Sequence, residues 1–284
     1  MELSVSTPSI IMMVISMLVS IIVPWVLFGI LWRKYKCSPA AFFVGAGVMF
    51  VFAFVLEQVM HTIVLSMPGV GSTIQENIFL YGLYGGLAAG VFEETGRFVA
   101  FKTLLRKKEE TKTAVMYGVG HGGFEASYLL GVGMISNLII AIMINAGMTD
   151  MLFVGVPQDM AVQVEAQLIN LAETPWYLFG VGLIERGAAM IAQVALSVLV
   201  WYGVKKHWAW FPLAIFLHFL LDFIVVIVNG LTQNVALVEV LCYIMAIAYA
   251  VLAWRVYKRY DNACDLKEDD LPEVKSDSVL DYEN

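Results

Sequence analysis

The sequence predicts an all-α polytopic transmembrane bundle of about seven spans, with the N-terminus outside and the C-terminus cytosolic. Three observations carry this. Of 284 residues, 60% are hydrophobic and 14% charged, and mean hydropathy is +0.78, which is not a soluble composition. Apolar stretches of twenty or more residues recur, the length a helix needs to cross a bilayer. Basic clusters fall after every second stretch, and Lys and Arg favour the cytosolic face.

The spans read as roughly 8–32, 39–66, 78–104, 113–145, 174–204, 209–230 and 233–257. The first is an anchored span and not a leader: no basic residue precedes it, no small-residue cleavage site follows, and its basic cluster, Arg33 to Lys36, comes after it. The third ends at Arg106 to Lys108, the fifth at Lys205 and Lys206, and the seventh at Arg255, Lys258 and Arg259. The opposite loops, near 67–77, 146–173 and 231–234, contain no Lys or Arg. The longest of them, 146–173, carries Asp150, Asp159, Glu165 and Glu173, and residues 158–171 are expected to form a short interfacial helix. The third and fourth helices share a short charged loop and so are antiparallel neighbours. No internal repeat is visible, which argues against an inverted-repeat transporter.

The membrane domain is thus 1–258, and 259–284 is expected to be an acidic, disordered cytosolic tail that supplies most of the net charge of −7. No basic tract invites nucleic acid. Cys37, Cys242 and Cys264 form no spaced motif, and no disulfide is expected.

Against this apolar background Glu93 and Glu94 stand out. A charged side chain in hydrocarbon costs on the order of a few kcal/mol even on lenient scales, and intramembrane ionisable groups mark function by default. Partners lie on other helices at a similar depth. At 1.5 Å per residue, Glu94, His121 and His218 fall roughly 18, 13 and 16 Å from the cytosolic end. His121 and Glu125 are one turn apart on one face, as are His218 and Asp222. Arg97 is one turn from Glu93, which would leave Glu94 free. Glu125 and Asp222 are placed to orient the two imidazoles. Glycines at 118, 120, 122 and 123 allow close helix approach or leave room for a substrate.

This set suits activation of water. A buried carboxylate can act as general base, and histidines can bind a metal or stabilise an oxyanion. A structural reading stands beside each residue: Glu93 with Arg97 as a pinning ion pair, the histidines as packing groups. Glu185 and Arg186 are adjacent and face different directions, so they are not expected to pair; a structural role weighs equally with substrate contact. Glu57 and His61 are one turn apart on the second helix, where His61 lies near the outer end and reads as reaching the interface.

With these residues in hand, the chain resembles the YhfC-type membrane peptidases, relatives of the CAAX-endopeptidase-like and PrsW-like intramembrane proteases. The likeness rests on Glu93-Glu94-x-x-Arg97, His121-Gly-Gly-Phe-Glu125 and His218-x-x-x-Asp222 in that order, and it places the catalytic core at 80–257. The resemblance implies a glutamate-dependent endopeptidase with Glu94 as base and Glu93 paired to Arg97. His121 and His218 would stabilise the oxyanion or, with Asp222, bind zinc or another divalent metal; a metal-free mechanism stands beside that. Departures exist. The CAAX enzymes have one more residue before the Arg and carry Asn where Asp222 stands. Gln193 occupies a place where related chains often have His. No His-Glu-x-x-His motif occurs.

The expected function is hydrolysis of a peptide bond in or near a bacterial-type plasma membrane. The partners would be a membrane-protein or peptide substrate and the lipid bilayer. Oligomeric state is open. The alternatives are a proton-coupled transporter or channel, and a non-catalytic immunity or partner-binding membrane protein.

Overall fold

The computed structural model describes the chain from Leu3 to Asp269, with side chains as far as Asp261. The expected tail therefore begins inside a described helix, and 270–284 lie outside the described residues. Seven long helices form the bundle: α1 Thr7–Arg33, α2 Pro39–Leu65, α3 Ile78–Lys102, α4 Lys112–Asn145, α5 Leu178–Lys205, α6 Trp210–Thr232 and α7 Val235–Asp269. Among the described residues there is no strand. Six of the seven are long and apolar enough to cross a membrane. The seventh, α3, has 25 residues and falls short in hydropathy because it carries Glu93, Glu94 and Arg97.

Local sequence sets the ends. Ser6 caps α1 by accepting from the Ser9 amide at 3.2 Å, with a proline in the first turn. Asn77 caps α3 through the Phe79 and Leu80 amides. α5 begins four residues later than expected, after a turn in which the Leu178 amide donates to Pro175. A helix Gln158–Glu173 does form in the long loop. It buries Leu168 and Leu171 against Val5, Met13, Ala141 and Phe179. Two segments were not foreseen: α2 winds as a π-helix over Phe50–Glu57, and α4 over Ser127–Val132. Such segments frequently accompany functional sites.

α5 is the central helix. Of its most apolar window 67% is buried, against 11% for α6, so α5 sits inside the bundle and α6 at its rim. α5 packs on α1, α3, α4, α6 and α7. α4 is drawn in by its glycines. A Cβ on Gly120 would lie 2.0 Å from the Phe42 carbonyl oxygen, and one on Gly45 2.2 Å from that of Tyr117, so α2 and α4 touch backbone to backbone. α3 and α6 do the same at Gly86 and Gly90. The glycines around His121 serve close approach.

The basic ends gather at one pole. Lys205 Nζ donates to the Arg106 carbonyl and to Glu109, each at 2.9 Å, and Trp210 Nε1 donates to the Tyr260 hydroxyl at 3.1 Å. At the other pole Val5 and Asn145 exchange two hydrogen bonds of 2.7 and 2.9 Å.

Candidate active site

Four helices converge on the adjacent glutamates of α3. Arg97 forks between them: Nη1 donates to Glu94 Oε1, and Nη2 donates to Glu93 Oε2 at 3.3 Å and to Gln193 Oε1 of α5. From α4, His121 Nε2 donates to Glu93 Oε2 at 2.9 Å. From α5, Gln193 Nε2 donates to Glu93 Oε2 at 3.2 Å and to Glu125 Oε2 at 2.6 Å. From α6, His218 Nδ1 donates to Glu94 Oε1 at 2.6 Å. Glu94, Arg97 and His121 are 0% exposed, Glu93 6% and His218 4%. Breaking a buried pair of this kind costs several kcal/mol, because the remaining charge is stranded.

Beside the cluster lies a cavity of about 120 Å³, room for a few water molecules. Its polar wall is Glu93, Glu125, Glu185, Arg186, Gln193, His218 and Asp222. Its apolar wall is alanine-rich, from α5, and is completed by Leu221, Val225 and Cys242. Glu94 and His121 do not line it. His218 Nε2 looks into the cavity, 3.7 Å from Asp222 Oδ2 and 3.9 Å from Glu93 Oε1.

The structure thus brings the expected residues together but pairs them differently. Arg97 does not leave Glu94 free; it holds both carboxylates, since a guanidinium fork reaches residues three and four positions back on the helix at once. Glu125 does not orient His121. Arg186 Nη1 at 2.5 Å and Gln193 claim it, and His121 turns to Glu93. Arg186 and Glu185 do pair, because the long arginine side chain curls back to its neighbour while also reaching Glu125. Gln193 is the residue that sequence reasoning underrated. It follows Arg186 by seven positions and so shares its face, a signal that was available.

Zinc needs three or four ligands around one point. Two donor atoms, His121 Nδ1 and Glu94 Oε2, are buried without a hydrogen-bond partner. Yet among the described residues no group of three or more His, Cys, Asp or Glu side chains is arranged to hold a metal ion. His121, His218 and Asp222 are not such a group: His121 is tied to Glu93 outside the cavity wall that the other two share. The positive charge between the carboxylates is Arg97's. In this arrangement the side chains do not fit a metal.

Apolar spans wrapped around a buried carboxylate, histidine and arginine centre define an integral membrane protein. The comparisons agree. The model of the family described as YhfC intramembrane metalloprotease matches residues 16–242, and the chain belongs to that family, whose description is that of a membrane protease. It is 34% identical over 232 residues to "Uncharacterized membrane protein YhfC" of Bacillus subtilis (strain 168), covering 80% of this chain and 89% of that one. No solved structure matches.

Proposed function

We propose that this protein hydrolyses a peptide bond in or beside the bilayer, with Glu93 as the group that takes the proton from water. The observation that supports the assignment is that Glu93, and not Glu94, lines the polar cavity while three donors fix its other oxygen. Fixed geometry is what a general base needs.

The remaining roles follow from what each side chain faces. Glu94 holds His218 at Nδ1, so Nε2 is the ring atom presented to the cavity. With both ring nitrogens protonated, the imidazolium donates there from Nε2 to the oxyanion formed as hydroxide adds to the carbonyl carbon. As the C–N bond breaks, the proton taken by Glu93 passes to the leaving amine. His121 and Gln193 hold Glu93, and Arg97 offsets the charge of both glutamates. The substrate class is a transmembrane segment or a peptide that reaches the cavity from the bilayer.

The test is cleavage of a panel of membrane-inserted peptides by protein reconstituted in liposomes, read by mass spectrometry. Glu93→Gln is expected to lose on the order of 10²- to 10⁴-fold in turnover, the size of a general-base contribution. Unchanged cleavage by folded Glu93→Gln would overturn the assignment. A wild-type protein inert toward every peptide would favour the non-catalytic reading.

A further inference from the structure

Between α1, α4, α5 and α7 the bundle leaves a groove of about 620 Å³ that none of the glutamate-centre residues lines. Small side chains on two helices, Ala195 of α5 and Ala250 and Ala253 of α7, open it. Its floor is apolar and buried at Val119, Ala195, Val198 and Ala253, while Ile191 and Trp254 stand exposed at its rim. It is therefore a recess between helices and not a convex outer face, and its size and apolar wall suit a small-molecule ligand.

The recess is confined to one leaflet. Along α5 it runs from Met190 to Val198, about 12 Å at 1.5 Å per residue, against roughly 30 Å for a whole hydrocarbon core. It ends at the pole of the basic clusters, where Thr111 and Lys112 line it. Toward the other pole α1 closes over it. Ser16 Oγ donates to the Phe179 carbonyl of α5 at 2.7 Å, and a Cβ on Gly123 of α4 would lie 2.7 Å from Pro24. A transmembrane segment needs a track through both leaflets, whereas this depth matches the tail of a single lipid. The mouth is cationic. Lys112 lines it, 2.9 Å from Glu110, and Lys258 Nζ sits 4.9 Å over the ring of Trp254. Arg33 and Lys34 follow the lining residue Ile30 by three and four positions and so share its side of the helix. The carboxylates at this pole, among the described side chains, are engaged: Glu109 with Lys205, Glu110 with Lys112, and Asp261 with the Tyr202 hydroxyl. Basic groups at the mouth of an apolar recess attract an anionic headgroup, and tryptophan favours headgroup depth.

We propose that this groove binds an anionic phospholipid of the leaflet at the basic pole, with an acyl chain in the recess and the phosphate beside Lys112 and Lys258. The site is separate from the polar cavity and does not depend on what that cavity does. It meets the glutamate centre through one turn of α5. Val194 and Met190 line the groove and pack on Gly118 and Gly122 of α4, and Gln193, next to Val194, holds Glu93 and Glu125. A chain in the groove braces the turn that carries Gln193.

The test uses the full-length protein in phosphatidylcholine nanodiscs and needs no substrate. Phosphatidylglycerol bearing a photoreactive diazirine in one acyl chain is added, with the same modified phosphatidylcholine in a parallel arm, and labelled residues are mapped by mass spectrometry. Phe216, exposed on α6, is the reference for ordinary lipid contact. Phosphatidylglycerol is expected to label the groove around Ile191 and Trp254 about tenfold more than phosphatidylcholine does, the effect of one to two cations near an anionic headgroup. The exposed pair Lys112→Gln/Lys258→Gln should erase most of that preference and leave phosphatidylcholine labelling unchanged. Ala250→Phe fills the groove and should lower labelling there by both lipids several-fold, with Phe216 unaffected. Equal labelling of groove and Phe216, or a phosphatidylglycerol preference that survives the lysine substitutions, overturns the proposal. An unlabelled groove in a protein that is dimeric in the nanodisc would assign it to a second copy and overturns it too.

Discussion

The two histidine motifs have the same spacing and different fates. His121 and Glu125 sit on α4, which is clasped by α1, α2 and α5. His218 and Asp222 sit on α6 at the rim of the bundle. His121 is fully buried and faces Glu93, while Glu125 is taken by Arg186 and Gln193. His218 reaches Glu94 with one nitrogen and the cavity with the other, and the Asp222 side chain is 36% exposed. An i,i+4 pair fixes which face two side chains share. It does not fix whether they meet, because a helix packed on all sides offers each of them a better partner. Of the buried pair only Glu125 reaches the cavity wall, whereas both members of the rim pair do.

The largest expected effect comes from removing what both histidines depend on. Arg97 is the cation for Glu93 and Glu94. Arg97→Met strands two carboxylates in a closed interior, and about 3–5 kcal/mol of stability should be lost, as for other broken buried pairs. Thermal unfolding in detergent measures it. Adding Glu94→Gln removes one stranded charge and should recover part of the loss. If Arg97→Met unfolds at the wild-type temperature, the centre is not held as described and the contrast between the two histidines loses its basis.

Next comes the contrast itself. His218→Gln removes the donor that faces the cavity and should cost on the order of 10²- to 10³-fold in peptide turnover, the size of an oxyanion donor. His121→Gln keeps a donor for Glu93 and should cost about tenfold, the lower end for a group acting through its neighbour. Equal losses in the two variants would mean that His121 also touches the reacting atoms.

Much of this was legible in the sequence. The seven helices followed from long apolar runs and alternating basic clusters, because bilayer thickness and charge asymmetry act on composition directly. The residues of the centre followed because ionisable groups in such runs are rare. The pairings did not follow. Whether Arg97 chooses Glu93 or Glu94, and whether Glu125 meets His121 or Arg186, depends on helix rotation, which here is set by glycine contacts such as Gly120 on Phe42. The π-segments in α2 and α4 had no sequence signal, yet each shifts the register of everything beyond it. Gln193 was read only as a departure from His because an amide carries no charge to announce it, although its two donors and one acceptor join Glu93, Arg97 and Glu125.

The smallest effect sharpens the rim side of the comparison. Asp222 stands 3.7 Å from His218 Nε2, beyond a hydrogen bond, and is partly open to the cavity. Its attraction for the ring is that of a partly exposed ion pair, worth up to about 1 kcal/mol. Asp222→Asn keeps the shape and removes the charge, so turnover should fall only about two- to fivefold with binding little changed, the rate equivalent of that energy. A side chain that merely tunes His218 behaves this way. A loss as deep as that of His218→Gln would instead put Asp222 in contact with the reacting atoms. The cavity wall would then hold two working carboxylates, Glu93 for the water and Asp222 for the leaving amine, with His218 between them.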